Sequence, residues 1–191
     1  PYLNQFINYS LQQFKLNMRN KNYKTILPQI KTFIFDIDGV LTDGKVLVTT
    51  EGELYRAVDT KDGYAIKCAI LKGYKIVIIS GGNNEGIRNR FKAFGIHDIY
   101  LGAHHKLDSF NDLMDNYDLN PDEILYMGDD IPDIPVMEKV GLSCCPADAV
   151  SDVKAIVKYV SHKNGGQGCV REIIEQVLRV QDKWSLDIGA N

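Results

Sequence analysis

From residue 32 onward the chain alternates between two kinds of pattern, and this alternation restricts the fold more than any other feature. Runs of consecutive apolar residues occupy 32–37, 75–80, 98–101, 123–127, 141–145 and 158–161. A strand covered on both faces must be apolar at successive positions, whereas a half-exposed strand alternates. Between these runs lie stretches with helical periodicity. Ile87, Phe91 and Phe94 share one face and are followed by Gly95, and Leu107, Phe110 and Met114 repeat the spacing. Asn120-Pro121-Asp122 reads as a turn back into a strand. Strands alternating with helices predict an α/β fold: a doubly wound, Rossmann-like parallel sheet with helices on both faces.

Two regions break the pattern. Residues 45–49 and 53–58 flank Glu51-Gly52 and predict a β-hairpin inserted after the first strand. Near the start, Leu3, Ile7, Leu11, Phe14 and Met18 recur at helical intervals. They fit an amphipathic helix or a peripheral tail, with Met18 a candidate natural start. The expected organisation is an N-terminal extension over 1–30, one domain over 31–181 with a hairpin flap at about 44–58, and a tail over 182–191. The first thirty residues are polar and mixed, so no secretory leader is expected. No apolar run approaches the ~20 residues of a membrane helix. A formal charge of −3 does not predict nucleic-acid binding. Cys68, Cys144, Cys145 and Cys169 have no metal or disulfide spacing, so reduced thiols and a cytoplasmic location are expected. His104 and His105 diverge on an extended segment and read as surface residues.

The chemistry is concentrated where the apolar runs end. Asp36 and Asp38 emerge from Phe33-Ile34-Phe35 on the same side of the strand, because side chains alternate. They stand at the carboxyl end, where open α/β sheets hold ligands. Two like charges there need a cation or a proton; the other reading is a pair of strand-end acids facing water. Asp129, Asp130 and Asp133 follow the run ending at Met127. An oxygen-rich set of this kind suits Mg²⁺, a hard cation. Ser80, with the free N–H groups of Gly81 and Gly82, ends a third run and suits phosphate oxygens. Lys106 opens a helical stretch and would offset phosphate charge. Taken singly, Ser80 is a turn residue and Lys106 a surface lysine. Taken together, the four elements are what phosphoryl transfer requires.

At this point the sequence resembles the haloacid dehalogenase-like phosphatases, whose DxDG, Ser-Gly, Lys and GDDxxD elements stand here in the same order. Within that superfamily it is similar to the 3-deoxy-D-manno-octulosonate 8-phosphate phosphatases over roughly residues 31–181. The resemblance is carried by Asp38-Gly39-Val40-Leu41-Thr42-Asp43-Gly44, Asp62-Gly63-Tyr64, Val136-Met137-Glu138-Lys139-Val140-Gly141-Leu142 and Gly165-Gly166-Gln167-Gly168. It implies a Mg²⁺-dependent phosphatase of lipopolysaccharide precursor synthesis. Asp36 is then the nucleophile, giving an aspartyl phosphate, and Asp38 the acid and base. Mg²⁺ would be held by Asp36, the Asp38 carbonyl and Asp129, with Asp130 and Asp133 behind them. Ser80, Gly81, Gly82 and Lys106 would hold the phosphoryl group. Asp59, Thr60, Lys61, Asp62 and Gly63 would contact the substrate, with Lys67 and Arg90 as basic partners. The family often has Arg where this chain has Gly82, so one anion contact is expected to be missing.

Spacing leaves no room for a cap domain either between Asp38 and Ser80 or between Ser80 and Lys106. An open site then needs a macromolecular substrate or a neighbouring subunit as its lid. The resemblance implies the second: a homotetramer in which the 44–58 hairpin of one subunit reaches the next subunit's site. The loop at 165–168 either closes over a site or merely connects. Three rivals stand beside this reading. They are a nonulosonate 9-phosphate phosphatase, a phospho-accepting receiver-like signalling module and a phosphosugar mutase. The receiver places its acceptor on a middle strand without a second acid, and the mutase normally needs a cap.

Overall fold

The computed structural model describes residues 23–184. Its main sheet has the order β5-β4-β1-β6-β7-β8, with β1 Thr32–Phe35, β4 Lys75–Ile79, β5 Asp98–Tyr100, β6 Ile124–Met127, β7 Leu142–Cys145 and β8 Tyr159–Val160. Every neighbouring pair is parallel. The apolar runs are therefore buried strands, as their lack of alternation requires: all four residues of β1, β6 and β7 are buried. The short antiparallel pair β2 Leu47–Val48 and β3 Leu54–Tyr55 forms the expected hairpin. Its ladder is shorter than the sequence pattern, and both strands are exposed.

Helices cover both faces. They are α1 Thr60–Leu71, α2 Glu85–Lys92, α3 Lys106–Tyr117, α4 Ile134–Met137, α5 Ser151–Lys154 and α6 Cys169–Val180. Two buried clusters result, one on each side of the sheet. Phe33 and Phe35 of β1 pack with Ala65, Ile66, Phe91 and the α6 residues Ile173, Ile174 and Val177. Ile34, between them in sequence, packs on the opposite side with Phe110, Leu113, Val136 and Val153. This is the period-2 alternation of a strand buried on both faces. Each fully buried Phe or Ile contributes roughly 1.5–3 kcal/mol relative to exposure.

Both ends of the described segment meet this core. Leu27 and Ile30 are buried within it, and the Gln181 side chain donates to both of their carbonyls at 2.9 Å. Trp184 packs against the same cluster. The helical pattern expected over 3–18 lies outside the described residues. No helix among the described residues is long and apolar enough to cross a membrane. All four cysteines are buried and free.

Strand order places the site. β1 lies between β4 and β6, so the chain turns outward from it in both directions. The loops after these three strands converge at their carboxyl ends, the ligand crevice of an open parallel sheet.

Candidate active site

Asp36 extends β1 by one residue, with φ −74° and ψ 168°, and its Oδ1 accepts the Ile37 N–H at 2.7 Å. The chain then turns sharply through Gly39, whose φ is +85°. A Cβ there would lie 2.0 Å from Asp129 Oδ2. Only glycine lets this loop and the loop after β6 approach so closely. Thr42, fully buried, ties the turn by donating to the Ile37 carbonyl at 3.2 Å and accepting from the N–H groups of Gly39 and Gly44.

The carboxylates converge around Lys106. Asp36 is 6% exposed, Lys106 5% and Asp133 0%. Lys106 Nζ stands 2.8 Å from Asp36 Oδ2 and 2.6 Å from Asp133 Oδ1. Single-residue expectation makes a lysine a surface group. Here three carboxylates leave a buried deficit of positive charge that one ammonium partly fills. Asp133 is fully engaged: its Oδ1 also accepts the Tyr126 hydroxyl at 2.5 Å, and its Oδ2 accepts the N–H groups of Asp129 and Asp130. It forms a capping box with Asp130 at the turn Ile131–Asp133.

Oxygens of Asp36, Asp129 and Asp133 lie within 4.8 Å of one another. Burial, the Asp133 charge and incomplete compensation by Lys106 raise the Asp36 pKa to about 6. Burial and then the Asp36 and Asp133 charges raise that of Asp129 to about 7. For Lys106, burial acts downward but is outweighed by Asp36 and Asp133, so its pKa is raised. A divalent cation among these carboxylates would favour their ionised forms and oppose both shifts. The donor set fits a hard, oxygen-seeking divalent ion. Each Asp36 oxygen has one partner, Ile37 N–H or Lys106, and keeps a lone pair for it, whereas each oxygen of Asp133 already accepts from two donors.

These groups line an open cleft of about 340 Å³, together with Asp38, Gly44, Ser80, Gly81, Gly82 and Asp130. Ser80 is buried, and its Oγ accepts the Gly82 N–H at 3.2 Å. The sequence-expected set at 36, 38, 80, 81, 82, 106, 129, 130 and 133 is thus brought to one place.

The segment after the hairpin is not. Asp59 caps α1 by accepting the Lys61 N–H at 2.7 Å. Asp62 is buried against α6, accepting the Arg171 N–H at 2.7 Å, and burial first of all raises its pKa to about 6. Gly63 is pressed on Phe94, whose ring lies 2.5 Å from where a Cβ would stand. Within this chain Asp62 and Gly63, expected at the substrate, pack helices together. Thr60, Lys61 and Lys67 are exposed on α1, and Arg90 stacks 4.3 Å above Phe94. None of these residues lines the cleft of its own chain.

Two residues that the sequence did not place at the site stand at it. His104, read as a surface residue, is exposed but lines the cleft. Arg56, just beyond β3, forks onto Asp38, with Nε 2.6 Å from Oδ1 and Nη2 3.1 Å from Oδ2. Its Nη2 lies 3.6 Å from where a Cβ on Gly82 would be, so a guanidinium stands beside that glycine. The 165–168 loop does not face the cleft. Gly165 is buried, and a Cβ on it would stand 1.9 Å from the Gly39 carbonyl. The loop is a fixed wedge behind the turn that follows β1.

Comparisons with known proteins agree with this geometry. The family described as haloacid dehalogenase-like hydrolase matches residues 83–173. The 3-deoxy-D-manno-octulosonate 8-phosphate phosphatase KdsC of Salmonella typhi is 40% identical over 154 residues, covering 81% of this chain and 82% of that protein. The crystal structure of the Yersinia pestis phosphatase of the same name superposes with a TM-score of 0.83 at 34% identity, covering 85% of this chain and 88% of that one. The Moraxella catarrhalis phosphatase, solved with magnesium ion, phosphate ion and KDO, gives 0.82 at 28% identity, covering 85% and 94%. With this extent of likeness and a shared fold, the chain belongs to the haloacid dehalogenase-like hydrolases, in the family of 3-deoxy-D-manno-octulosonate 8-phosphate phosphatases.

Proposed function

We propose that this protein is a Mg²⁺-dependent phosphatase that converts 3-deoxy-D-manno-octulosonate 8-phosphate to the free sugar acid and phosphate, a step of lipopolysaccharide precursor synthesis. The observation that carries the reading is the Asp36 carboxylate at the base of the cleft, with Lys106 2.8 Å from one oxygen and Ser80 on the adjoining loop. The relatives' names and the sugar acid bound to the Moraxella protein support the substrate.

Asp36 attacks phosphorus, and an Asp36–phosphorus bond replaces the bond to the sugar oxygen. Asp38, at the cleft wall, gives its proton to the departing oxygen. It then takes a proton from the water that attacks the phosphoryl group and releases Asp36. Lys106, Ser80 and the Gly81 N–H hold the transferring oxygens. Asp36, the Asp38 carbonyl and Asp129 would hold magnesium, which when bound offsets the charge between carboxylate and phosphate. Asp133 keeps Lys106 and the loop after β6 in place, and Asp130 caps that loop.

We also propose a cytoplasmic homotetramer. Four buried thiols suit a reducing compartment. Leu47 at 67% exposure and Val48 at 63% put apolar surface on the hairpin that a neighbour would cover. Light scattering should give a tetramer; a fully active monomer would remove the proposal. Absence of nucleic-acid binding is expected from the charge balance.

The deciding assay is phosphate release from the eight-carbon sugar-acid 8-phosphate and, in parallel, from a nine-carbon 9-phosphate, with magnesium and with chelator. Magnesium-dependent turnover favouring the eight-carbon substrate by roughly tenfold, about 1.4 kcal/mol in transition-state binding, is expected. Preference for the nine-carbon compound would reassign the substrate. Stable phosphorylation without turnover would point to a signalling module.

A further inference from the structure

We infer that Arg56 is a positioning residue that aims the leaving-group acid of this site by clamping the Asp38 carboxylate through both oxygens. The inference rests on the role of Asp38 proposed above.

The contact is a two-pronged fork, Nε to Oδ1 at 2.6 Å and Nη2 to Oδ2 at 3.1 Å. Such a fork fixes a carboxylate plane in a way a single ammonium does not. It is also built in. The Arg56 side chain is 9% exposed, while that of Asp38 is 33% exposed at the cleft. The guanidinium therefore lies beneath the carboxylate and leaves it open to a ligand. Arg56 Nη1 is buried with no hydrogen-bond partner. An orphaned charged donor is costly, and a residue serving packing alone would avoid it. A small cavity of about 10 Å³, shared by Arg56, Asp38, Ser80 and Gly82, adjoins the group.

Two further features hold the clamp. Asn84 Nδ2, from the loop after β4, donates to the Leu54 carbonyl of β3 at 3.2 Å. This pins the hairpin two residues before Arg56. Gly82 supplies the room: a Cβ there would come within 3.1 Å of Asp38 Oδ2 and 3.6 Å of Arg56 Nη2. The hairpin thus controls the acid from within its own chain. Each Asp38 oxygen keeps a second lone pair beside the fork, and one of these carries the proton that the acid delivers; without the fork this short side chain would sample rotamers that miss the sugar oxygen.

The test separates leaving groups. A sugar alkoxide needs a proton as it departs, whereas 4-nitrophenolate does not, and kcat/KM reports only the steps up to that departure. Arg56→Gln should lose about 10–100-fold in kcat/KM on the sugar phosphate, within the range general acid catalysis supplies. On 4-nitrophenyl phosphate it should lose less than about threefold. Asp38→Asn should show the same selectivity more strongly, and adding Arg56→Gln to it should change little, since the two act as a unit. Arg56→Lys keeps the charge but not the fork. It should show the same selective loss in smaller degree, which guards against a glutamine variant that folds poorly. Equal losses on both substrates, or losses additive with Asp38→Asn, would overturn the inference. So would a rise in KM alone, the mark of a direct substrate contact. Impaired Asp38→Asn beside unimpaired Arg56→Gln would overturn the clamp but leave the acid in place. Full sugar-phosphate activity in Asp38→Asn would overturn the acid assignment and the clamp with it.

Discussion

Asp36 is held in an unfavourable place on purpose of its chemistry: 6% exposed, beside Asp133, with one lysine between them. Burial and the Asp133 charge push its pKa up to about 6. Asp36→Asn removes a charge that burial opposes while keeping the shape and an oxygen able to accept the Ile37 N–H. The variant should lose turnover by roughly 10³-fold or more, as removal of a covalent nucleophile does. Without metal its Tm should equal or exceed that of the parent, a trade of stability for function. Steady-state phosphate release and thermal unfolding check both halves; normal turnover would end the covalent scheme. Lys106→Ala should behave in the opposite sense. It strips the ammonium from two buried carboxylates and should cost about 3–5 kcal/mol, the range for breaking a buried ion pair from one side, visible as a lowered denaturation midpoint. A loss of activity without loss of stability would contradict the buried-charge account.

Elements explain why those residues meet, and also what the sequence conceals. The loop at 165–168 follows β8 yet packs behind the turn after β1: the Gly166 N–H donates to the Val40 carbonyl at 2.9 Å, and a Gly165 Cβ would meet the Gly39 carbonyl at 1.9 Å. Gly165→Ala has backbone on both sides and no flexible side chain to displace. It should cost about 1–3 kcal/mol, as overpacking does, and reduce activity with it because the shifted turn carries Asp38. Gln167→Ala, exposed in the same loop, is the control; a neutral Gly165→Ala would show the loop to be a loose connector. Nothing in a Gly-Gly-Gln-Gly string tells a lid from a wedge, since that depends on a contact with residues far away in the chain. The strands were legible for the opposite reason. β1, β6 and β7 are buried on both faces, so local composition alone marks them. The acids at 36, 38, 129 and 133 were legible as abrupt charges at the ends of such runs. Arg56 was not, because a basic residue on an exposed hairpin looks like any solvated charge until the fold brings it under Asp38. The packing of Asp62 against α6 and of Gly63 against Phe94 was hidden for the same reason, since both partners lie elsewhere in the chain.

For the molecule as a whole, the acid cluster makes stability depend jointly on pH and metal. Asp36 and Asp129 have folded-state pKa values of about 6 and about 7, above the ~3.9 of an aspartate in an unfolded chain. Below about pH 4 both states hold these protons and the cluster imposes no penalty. As pH rises the unfolded chain releases them first, so the metal-free fold loses stability until pH passes about 7, where its own carboxyls have ionised. A divalent ion competes with those same protons and binds the folded state alone. Its stabilisation should therefore grow across this window and level off above it. Thermal unfolding with magnesium and with chelator, compared pairwise from about pH 5 to about pH 8, should show a Tm difference that widens with pH. Asp129→Asn should flatten that widening, because the group with the higher pKa and an oxygen still open to the ion is gone. A magnesium shift of equal size at both ends of the range, in a protein that still requires magnesium for turnover, would place the ion away from Asp36 and Asp129 and so dissolve the site that the converging loops build.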